Sequence, residues 1–167
     1  DIVVDNDSGN CDAIVTFAAT ETTGVPASVI TYSQDPGTAF PVGVTTVTAT
    51  ATNAVGTDQC TFTITVNDTE DPAITCPAAI TTSNDTGDCS AVVTYTTPVG
   101  TDNCTGATTT QTAGLSSGST FPVGTTTNTF VVTDAAGLTA TCSFDVTVND
   151  TEDPAITCPA DITTSND

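Results

Sequence analysis

The chain contains no lysine, no arginine, no histidine and no tryptophan in 167 residues. With no basic side chain, 20 Asp and Glu stand unopposed, for a formal net charge of -20. No cation is available to neutralise a phosphate and release its counterions, so the chain repels nucleic acid and anionic membranes. The same absence removes His and Lys as general bases, and no Gly-x-Ser-x-Gly elbow is present. Hydrolytic catalysis therefore lacks a basic partner for any nucleophile, and the carboxylates fall in turns and linkers rather than as a facing pair. No enzyme is expected. No run of 18 or more apolar residues occurs, and no charged-then-apolar signal segment opens the chain, so no membrane insertion is expected in this segment.

Charged residues make up only 12% of the chain, and Thr, Val, Ala and Ile dominate, so the acidity is spread over a globular composition rather than a solvated tail. There are seven cysteines, with no Cys-x-x-Cys pair and no histidine beside them. That excludes the usual zinc patterns and favours disulfides formed in an oxidising, extracellular compartment.

Self-similarity organises the chain. Val66 to Asp85 reads VNDTEDPAITCPAAITTSND, and Val148 to Asp167 repeats it with one change, Ala79 against Asp161. The offset of 82 residues also carries Cys60 to Cys142 and Cys76 to Cys158, and nearly the same offset carries Cys11 to Cys89 and the Phe-Pro-Val-Gly at Phe40 to that at Phe121. A period of this length is domain-sized, so each repeat can hold its own core. Asp1 and Asp167 both fall in the middle of the pattern, which points to a longer parent chain.

Within a repeat the apolar period is two, the mark of strands with one buried face. Cys142, Phe144, Val146 and Val148 alternate with Ser143, Asp145 and Thr147, and Cys60, Phe62, Ile64 and Val66 alternate with three threonines. Cys89, Ala91, Val93 and Tyr95 form one face of an earlier strand, matched by Cys11, Ala13, Val15 and Phe17. Turn signals such as Asn84-Asp85-Thr86-Gly87, Pro122-Val123-Gly124 and Ala135-Ala136-Gly137 separate these runs. About seven short strands in each repeat of roughly 80 residues predict an all-β, two-sheet Greek-key sandwich, arrayed in tandem like beads on a string.

The order Cys-Pro, Gly87-Asp88-Cys89, Thr101-Asp102-Asn103-Cys104, Phe121-Pro122-Val123-Gly124, Thr133-Asp134-Ala135-Ala136-Gly137 and then Cys142-Ser143-Phe144 before the next Asp-Thr-Glu-Asp-Pro resembles the hyalin repeat (HYR) family across the whole chain. The resemblance implies immunoglobulin-like sandwiches and a role in extracellular adhesion or matrix. The Thr-rich character without Lys or Arg is further similar to repeat arrays in giant surface adhesins of gliding bacteria. Two departures stand out: the first repeat has no Asp-Asn-Cys segment, and Leu138 occupies a position where the family usually has Asn. The expected division is a first repeat at 1–69 lacking its first strand, a complete second repeat at 70–151, and the start of a third at 152–167.

In an immunoglobulin-like sandwich the first and last strands run parallel, which places the start of one beside the start of the other. Cys76 opens the first strand of the second repeat and Cys142 opens its last, so these two are expected to bridge, contributing about 4 kcal/mol by loop closure. Cys89 is expected to pair with Cys104, leaving Cys11 as a free, inward-facing thiol. Cys60 and Cys158 are expected to find partners beyond this segment. A Cys60 to Cys76 link is disfavoured, because the strand opened by Cys60 crosses its domain before Cys76 is reached, a separation of roughly 20 Å.

Calcium is the one cofactor the residues suggest. Asp68, Glu70 and Asp71, repeated as Asp150, Glu152 and Asp153, put three carboxylates within four positions between domains, and Asp102, Asn103 and Asp134 could add oxygens from loops. The competing reading is a hydrated acidic linker, in which Pro72 and Pro154 alone limit freedom. Asn-x-Ser/Thr sequons occur at Asn6, Asn67, Asn84, Asn103 and Asn149.

Two functions compete. One is a structural spacer or filament of a cell-surface adhesin, whose partners are neighbouring repeats of the same chain and which meets surface glycans or other cells through distal regions. The other is a carbohydrate- or receptor-binding module using loops such as 101–106 or 114–119. With Tyr32, Tyr95, six Phe and no Trp, several of them on inward faces, aromatic platforms for sugars are scarce, and the spacer is favoured.

Overall fold

The computed structural model describes residues 1–164, and among them there are strands and no helix, so no helix long and apolar enough to cross a membrane. The strands are β1 (Ile2–Asp5), β2 (Asp12–Val15), β3 (Val29–Tyr32), β4 (Thr38–Pro41), β5 (Gly43–Thr52) and β6 (Thr57–Asn67), followed by β7 (Ile80–Ser83), β8 (Ser90–Val93), β9 (Thr108–Ala113), β10 (Ser119–Pro122), β11 (Gly124–Thr133) and β12 (Thr139–Asn149). The second six repeat the topology of the first. Sheets ordered β1-β6-β5-β3 and β2-β4 recur as β7-β12-β11-β9 and β8-β10. The fold is therefore all-β, with two sheets per repeat.

As expected, the first and last strands of each repeat are parallel. Ile2 pairs with Ile64 and Asp5 with Asn67, and Ile80 pairs with Val146 and Ser83 with Asn149. Two expectations are corrected. The first repeat does not lack its first strand: β1 fills that place, with Ile2 and Val4 turned toward the core and Val3 exposed. Each repeat has six strands instead of about seven, because residues 16–28 and 94–107, broken by Pro26 and Gly24 or by Pro98 and Gly100, form no regular strand.

Packing divides the chain differently from the sequence period. One compact unit comprises Asp1–Cys76, Pro98–Thr110 and Phe130–Cys142; the other comprises Pro77–Thr97, Gln111–Thr129 and the chain from Ser143 onward. The first unit is centred on Ala13, Val15, Phe40, Val47, Ile64 and Val66, all buried, with Phe17, Tyr32 and Phe62 packed against them. Phe17 meets Tyr32, Phe40 and Phe62 edge-on at 5.2, 5.9 and 5.1 Å between ring centroids. Such pairs add about 0.5–1.5 kcal/mol each beyond the area they bury.

The long hairpin of β5 and β6 pairs from Gly43↔Val66 out to Thr52↔Thr57. Its turn is closed by Asn53, whose Oδ1 accepts from the Val55 and Gly56 amides at 2.9 and 3.1 Å. Asp134 closes the turn before β12 in the same way, accepting from Gly137 and Leu138 at 2.7 and 2.8 Å. Both are side-chain mimics of a backbone turn.

In the second unit Ala91, Val93, Phe121, Phe144, Val146 and Val148 are buried, and the Tyr95 and Phe144 rings meet at 4.9 Å. A polar group is buried beside this apolar set. Asn128 is 0% exposed, and its Oδ1 accepts from the Leu115 amide at 2.8 Å and from Gln111 Nε2 at 3.2 Å. The Tyr95 hydroxyl donates to the Leu115 carbonyl at 2.6 Å.

Candidate functional site

The linker after β6 does not run free. The Asn6 amide donates to the Asn67 carbonyl at 2.8 Å, and Asn6 Oδ1 accepts from the Thr69 amide at 3.1 Å. Glu70 Oε2 then accepts from the Gly9 amide at 2.6 Å and from Asn6 Nδ2 at 3.5 Å. Gly9 has φ +74°, a left-handed conformation that glycine adopts without strain. The turn at residues 6–10 thus grips the start of the linker, and Pro72 beyond it is buried.

Ala73 and Thr101 follow with reciprocal 2.8 Å backbone bonds that draw the 101–106 loop to the linker. In that loop Asp102 Oδ2 accepts from the Cys104 amide at 2.8 Å, and Asn103 Nδ2 reaches the Asn10 carbonyl at 2.8 Å. Cys104 is disulfide-bonded to Cys11, with Cα atoms 4.8 Å apart and 93 residues between them in sequence. That separation exceeds the 82-residue period, so this bond joins one repeat to the next.

The cysteine expectations divide accordingly. Cys76 and Cys142 are bonded, with Cα atoms 5.6 Å apart. The expected Cys89 to Cys104 bridge is absent, and Cys11 is not a free thiol: Cys104 takes Cys11, and Cys89 is exposed and unbridged. The physical reason is where the strands begin. β8 begins only at Ser90 and β2 at Asp12, with Ala91 and Ala13 their first buried residues, so both cysteines sit in the preceding turn, before the strand. Cys60 and Cys158 are exposed and free of disulfides among the described residues. A pairing between repeats left one trace in the sequence: the first repeat has Gly9-Asn10-Cys11 but no Asp-Asn-Cys, and the second has both Gly87-Asp88-Cys89 and Asp102-Asn103-Cys104.

The grip on the linker recurs in the second unit. The Asn84 amide donates to the Asn149 carbonyl at 2.9 Å, Asn84 Oδ1 accepts from the Thr151 amide at 3.0 Å, and the Gly87 amide donates to the Glu152 carboxylate at 2.9 Å. Asn6 and Asn84, both sequon asparagines, therefore spend their side chains on the linker.

Of the acidic residues considered for calcium, the structure gathers two. Ligand atoms of Asp68, Asp102 and Cys104 lie within 4.8 Å of one another. The Cys104 sulfur is in a disulfide and supplies no thiolate, which leaves oxygen donors suited to a hard cation. Asp102 Oδ1 and Asn103 Oδ1 are buried without a hydrogen-bond partner. Glu70 and Glu152 are occupied by Gly9 and Gly87, Asp150 Oδ1 accepts from the Glu152 amide at 3.1 Å, and Asp71 and Asp153 are exposed. Asp134 is buried as a turn cap, with Oδ2 unpartnered.

A groove of about 350 Å³ on the first unit is lined by Glu21, Thr23, Ser28, Asn53, Val55 and Gln59 among others, with no aromatic side chain in its wall.

The HYR domain family matches residues 4–66 and 67–148. Hyalin of the sea urchin Strongylocentrotus purpuratus is 39% identical over 146 residues, covering 83% of this chain and 12% of that protein. Hyalin of Lytechinus variegatus is 35% identical over 146 residues, covering 84% of this chain and 27% of that protein. The chain thus spans about an eighth to a quarter of the length of these relatives. Among solved structures, human mucin-like protocadherin EC1-2 aligns over 89% of this chain and 95% of its own, at 13% identity and a TM-score of 0.38, a likeness too loose to build on.

Proposed function

This chain belongs to the HYR domain family, and from that premise we propose that it is a structural spacer of an extracellular, cell-surface adhesive protein. One observation carries the reading most: successive repeats are joined by a disulfide as well as by the backbone, with the linker gripped by Asn6 and Glu70. A module that only needed to present a loop to a ligand would gain nothing from such a joint. A spacer gains a fixed angle and resistance to pulling. The wider setting would be a repeat array of the kind found in giant bacterial surface adhesins, with recognition lodged in distal regions.

The alternative, ligand binding by the loops, is weakened by the same features. The 101–106 loop is spent on the Ala73, Asn10 and Cys11 contacts, and the groove on the first unit offers a sugar no ring to stack on. Electron micrographs of the oxidised chain should show unbranched, uniformly extended particles. Saturable binding on a glycan array, abolished by substitutions in 101–106 or 114–119, would overturn the spacer in favour of the binding module.

The unpartnered oxygens of Asp102 and Asn103 beside Asp68 favour one addition, a calcium ion that stiffens the same joint. Thermal unfolding with calcium and with chelator checks it: a raised midpoint with calcium that disappears in Asp102→Asn supports the ion, and identical midpoints remove it.

A further inference from the structure

Cys89 stands in the second repeat where Cys11 stands in the first, and the contacts around the two turns correspond, although Asp88 takes the place of Asn10 and Thr86 that of Ser8. Asn6 and Asn84 bond Thr69 and Thr151, Gly9 and Gly87 donate to Glu70 and Glu152, and both glycines are left-handed, with φ of +74° and +79°. The amide after each turn is held alike too: Asp7 Oδ2 accepts from Ile14 at 2.9 Å, and Asp85 Oδ2 accepts from Val92 at 3.0 Å. At the first of these turns the cysteine is bonded to the cysteine of an Asp-Asn-Cys loop one repeat later. At the second it is exposed and unbridged.

We propose that Cys89 is a covalent coupling site whose partner is the Asp-Asn-Cys cysteine of a following repeat of the same kind, so that disulfides between repeats recur with the sequence period. The linker at Glu152 is already seated on the Gly87 turn as Glu70 is on Gly9, and the residues beyond begin Asp153-Pro154-Ala155-Ile156 as their counterparts do at Asp71. A repeat continuing from there brings its own loop to Cys89 by the route that brings Cys104 to Cys11. Bond formation removes one proton from each of two thiols and passes two electrons to an acceptor disulfide, such as oxidised glutathione or an oxidoreductase, which leaves as two thiols.

The consequence is mechanical. From Cys11 to Cys89 the backbone runs 78 residues, but through the bridge the path is the disulfide and then the 15 residues from Cys104 back to Cys89. At about 3.5 Å per extended residue, that shortens the greatest possible separation from roughly 270 Å to roughly 50 Å. Recurring bridges would impose the same limit at every repeat. An array so linked could unfold under load without lengthening much.

The test extends the chain after Asp167 with a second copy of residues 86–150, which continues the period because 148–167 duplicates 66–85 with one change. The copy carries Thr94→Ser and Thr105→Ser at exposed positions, so that its cysteine peptides differ in mass from the originals. After oxidation in glutathione buffer and alkylation, digestion at Asp or Glu, the chain having no trypsin site, gives peptides for mass mapping. The expected result links Cys89 to the added copy of Cys104 while Cys11 stays with the original. Cys89 found alkylated, or bonded to Cys104 of its own repeat, overturns the proposal. A second measurement uses the unextended chain. Cys11→Ser should raise its free thiols from three to four, with Cys89 and Cys104 both alkylated; a fall to two would mean that Cys89 reaches its own Cys104, and would equally overturn it.

Discussion

The two repeats use one topology and keep it together by different means. In the first, Val47 is buried among Phe17, Phe40 and Phe62, and the interior is apolar throughout. In the second, the corresponding position on β11 is Asn128, held by Gln111 and the Leu115 amide. The first has Cys60 exposed on β6 and unbridged among the described residues, and Phe62, two positions on, is only half-buried. The second has Cys142 bonded to Cys76, and Phe144 is buried. Rings pack the core of the first repeat, whereas the second adds a covalent tie and a buried polar cluster in which Asn128 Oδ1 is bonded and Asn128 Nδ2 has no partner.

The largest expected break in that comparison is at the tie. Cys76→Ser or Cys142→Ser should lower the stability of the second repeat by about 4 kcal/mol, from the loop of 66 residues left open in the unfolded chain. Cys60→Ser, at the matching position of the first repeat, should stay within about 0.5 kcal/mol, as for most exposed substitutions. Urea unfolding followed at the aromatic signals of each repeat reads both. Equal losses would mean that Cys60 is not the spectator its exposure implies.

Next in size is the turn over Asn128. Gly114 has φ +85°, and a Cβ there would lie 2.7 Å from Asn128 Cα, so Gly114→Ala should cost about 2–4 kcal/mol from left-handed strain and overpacking together. In the first repeat, Ser33 just after β3 uses its hydroxyl to accept from the Thr48 amide at 3.0 Å. Ser33→Ala should lose only that one hydrogen bond, about 1 kcal/mol. Thermal melts of the two variants measure the difference.

Smaller again is an exchange of the central residues. Asn128→Val strands the Leu115 amide and should cost about 1–3 kcal/mol despite its better hydrophobicity. Val47→Asn puts an amide among rings with no donor to meet it, and should also destabilise, by a comparable amount. If both swaps proved neutral, the polar cluster would be incidental and the repeats interchangeable in their cores. Amide exchange at Leu115 is the sensitive probe.

Much of this was legible in the residues themselves. Period-two alternation identified Ala13, Val15, Ile64 and Val66, and Ala91, Val93, Phe144, Val146 and Val148, as inward, and all are buried. The parallel first and last strands followed from the resemblance to immunoglobulin-like sandwiches and brought Cys76 to Cys142. Alternation misled at Cys89 and Cys11 because it was extended one residue past the start of the strand into a turn, where parity no longer says what faces inward. The bond between repeats was hidden for a different reason: periodicity describes one repeat at a time and carries no information on which loops of neighbours meet. The acidic linker was likewise legible as composition but not as contact. Glu70 and Glu152 look like cation ligands by spacing, yet their carboxylates are spent on backbone amides of the preceding turn.

The smallest effect lies in the irregular segment before β3. In the second repeat the corresponding loop is closed by Asp102 on the Cys104 amide and by the bond to Cys11. In the first, side chains serve without a bridge: Glu21 accepts from the Ser28 amide at 3.0 Å and from its hydroxyl at 2.8 Å, Asn53 Nδ2 donates to the Pro26 carbonyl at 3.0 Å, and the Tyr32 hydroxyl accepts from the Ala19 amide at 2.8 Å. The two Ser28 donors, the amide first, hold the Glu21 carboxyl below its ordinary value of 4.5. A group whose pKa is depressed by folding contributes stability above its unfolded pKa and loses it as the pH falls through the folded one. Acidification below the ordinary carboxylate range should therefore loosen this loop at Ser28, while the disulfide keeps its counterpart closed. Because Glu21 is fully exposed, the change belongs to loop order and not to global stability. An NMR titration should place the Glu21 midpoint lower in the native chain than in Ser28→Ala, with the Ser28 amide shifting alongside it. Coincident midpoints would show that the carboxylate is solvated after all, and that Asn53 and Tyr32 hold this loop in the first repeat without it.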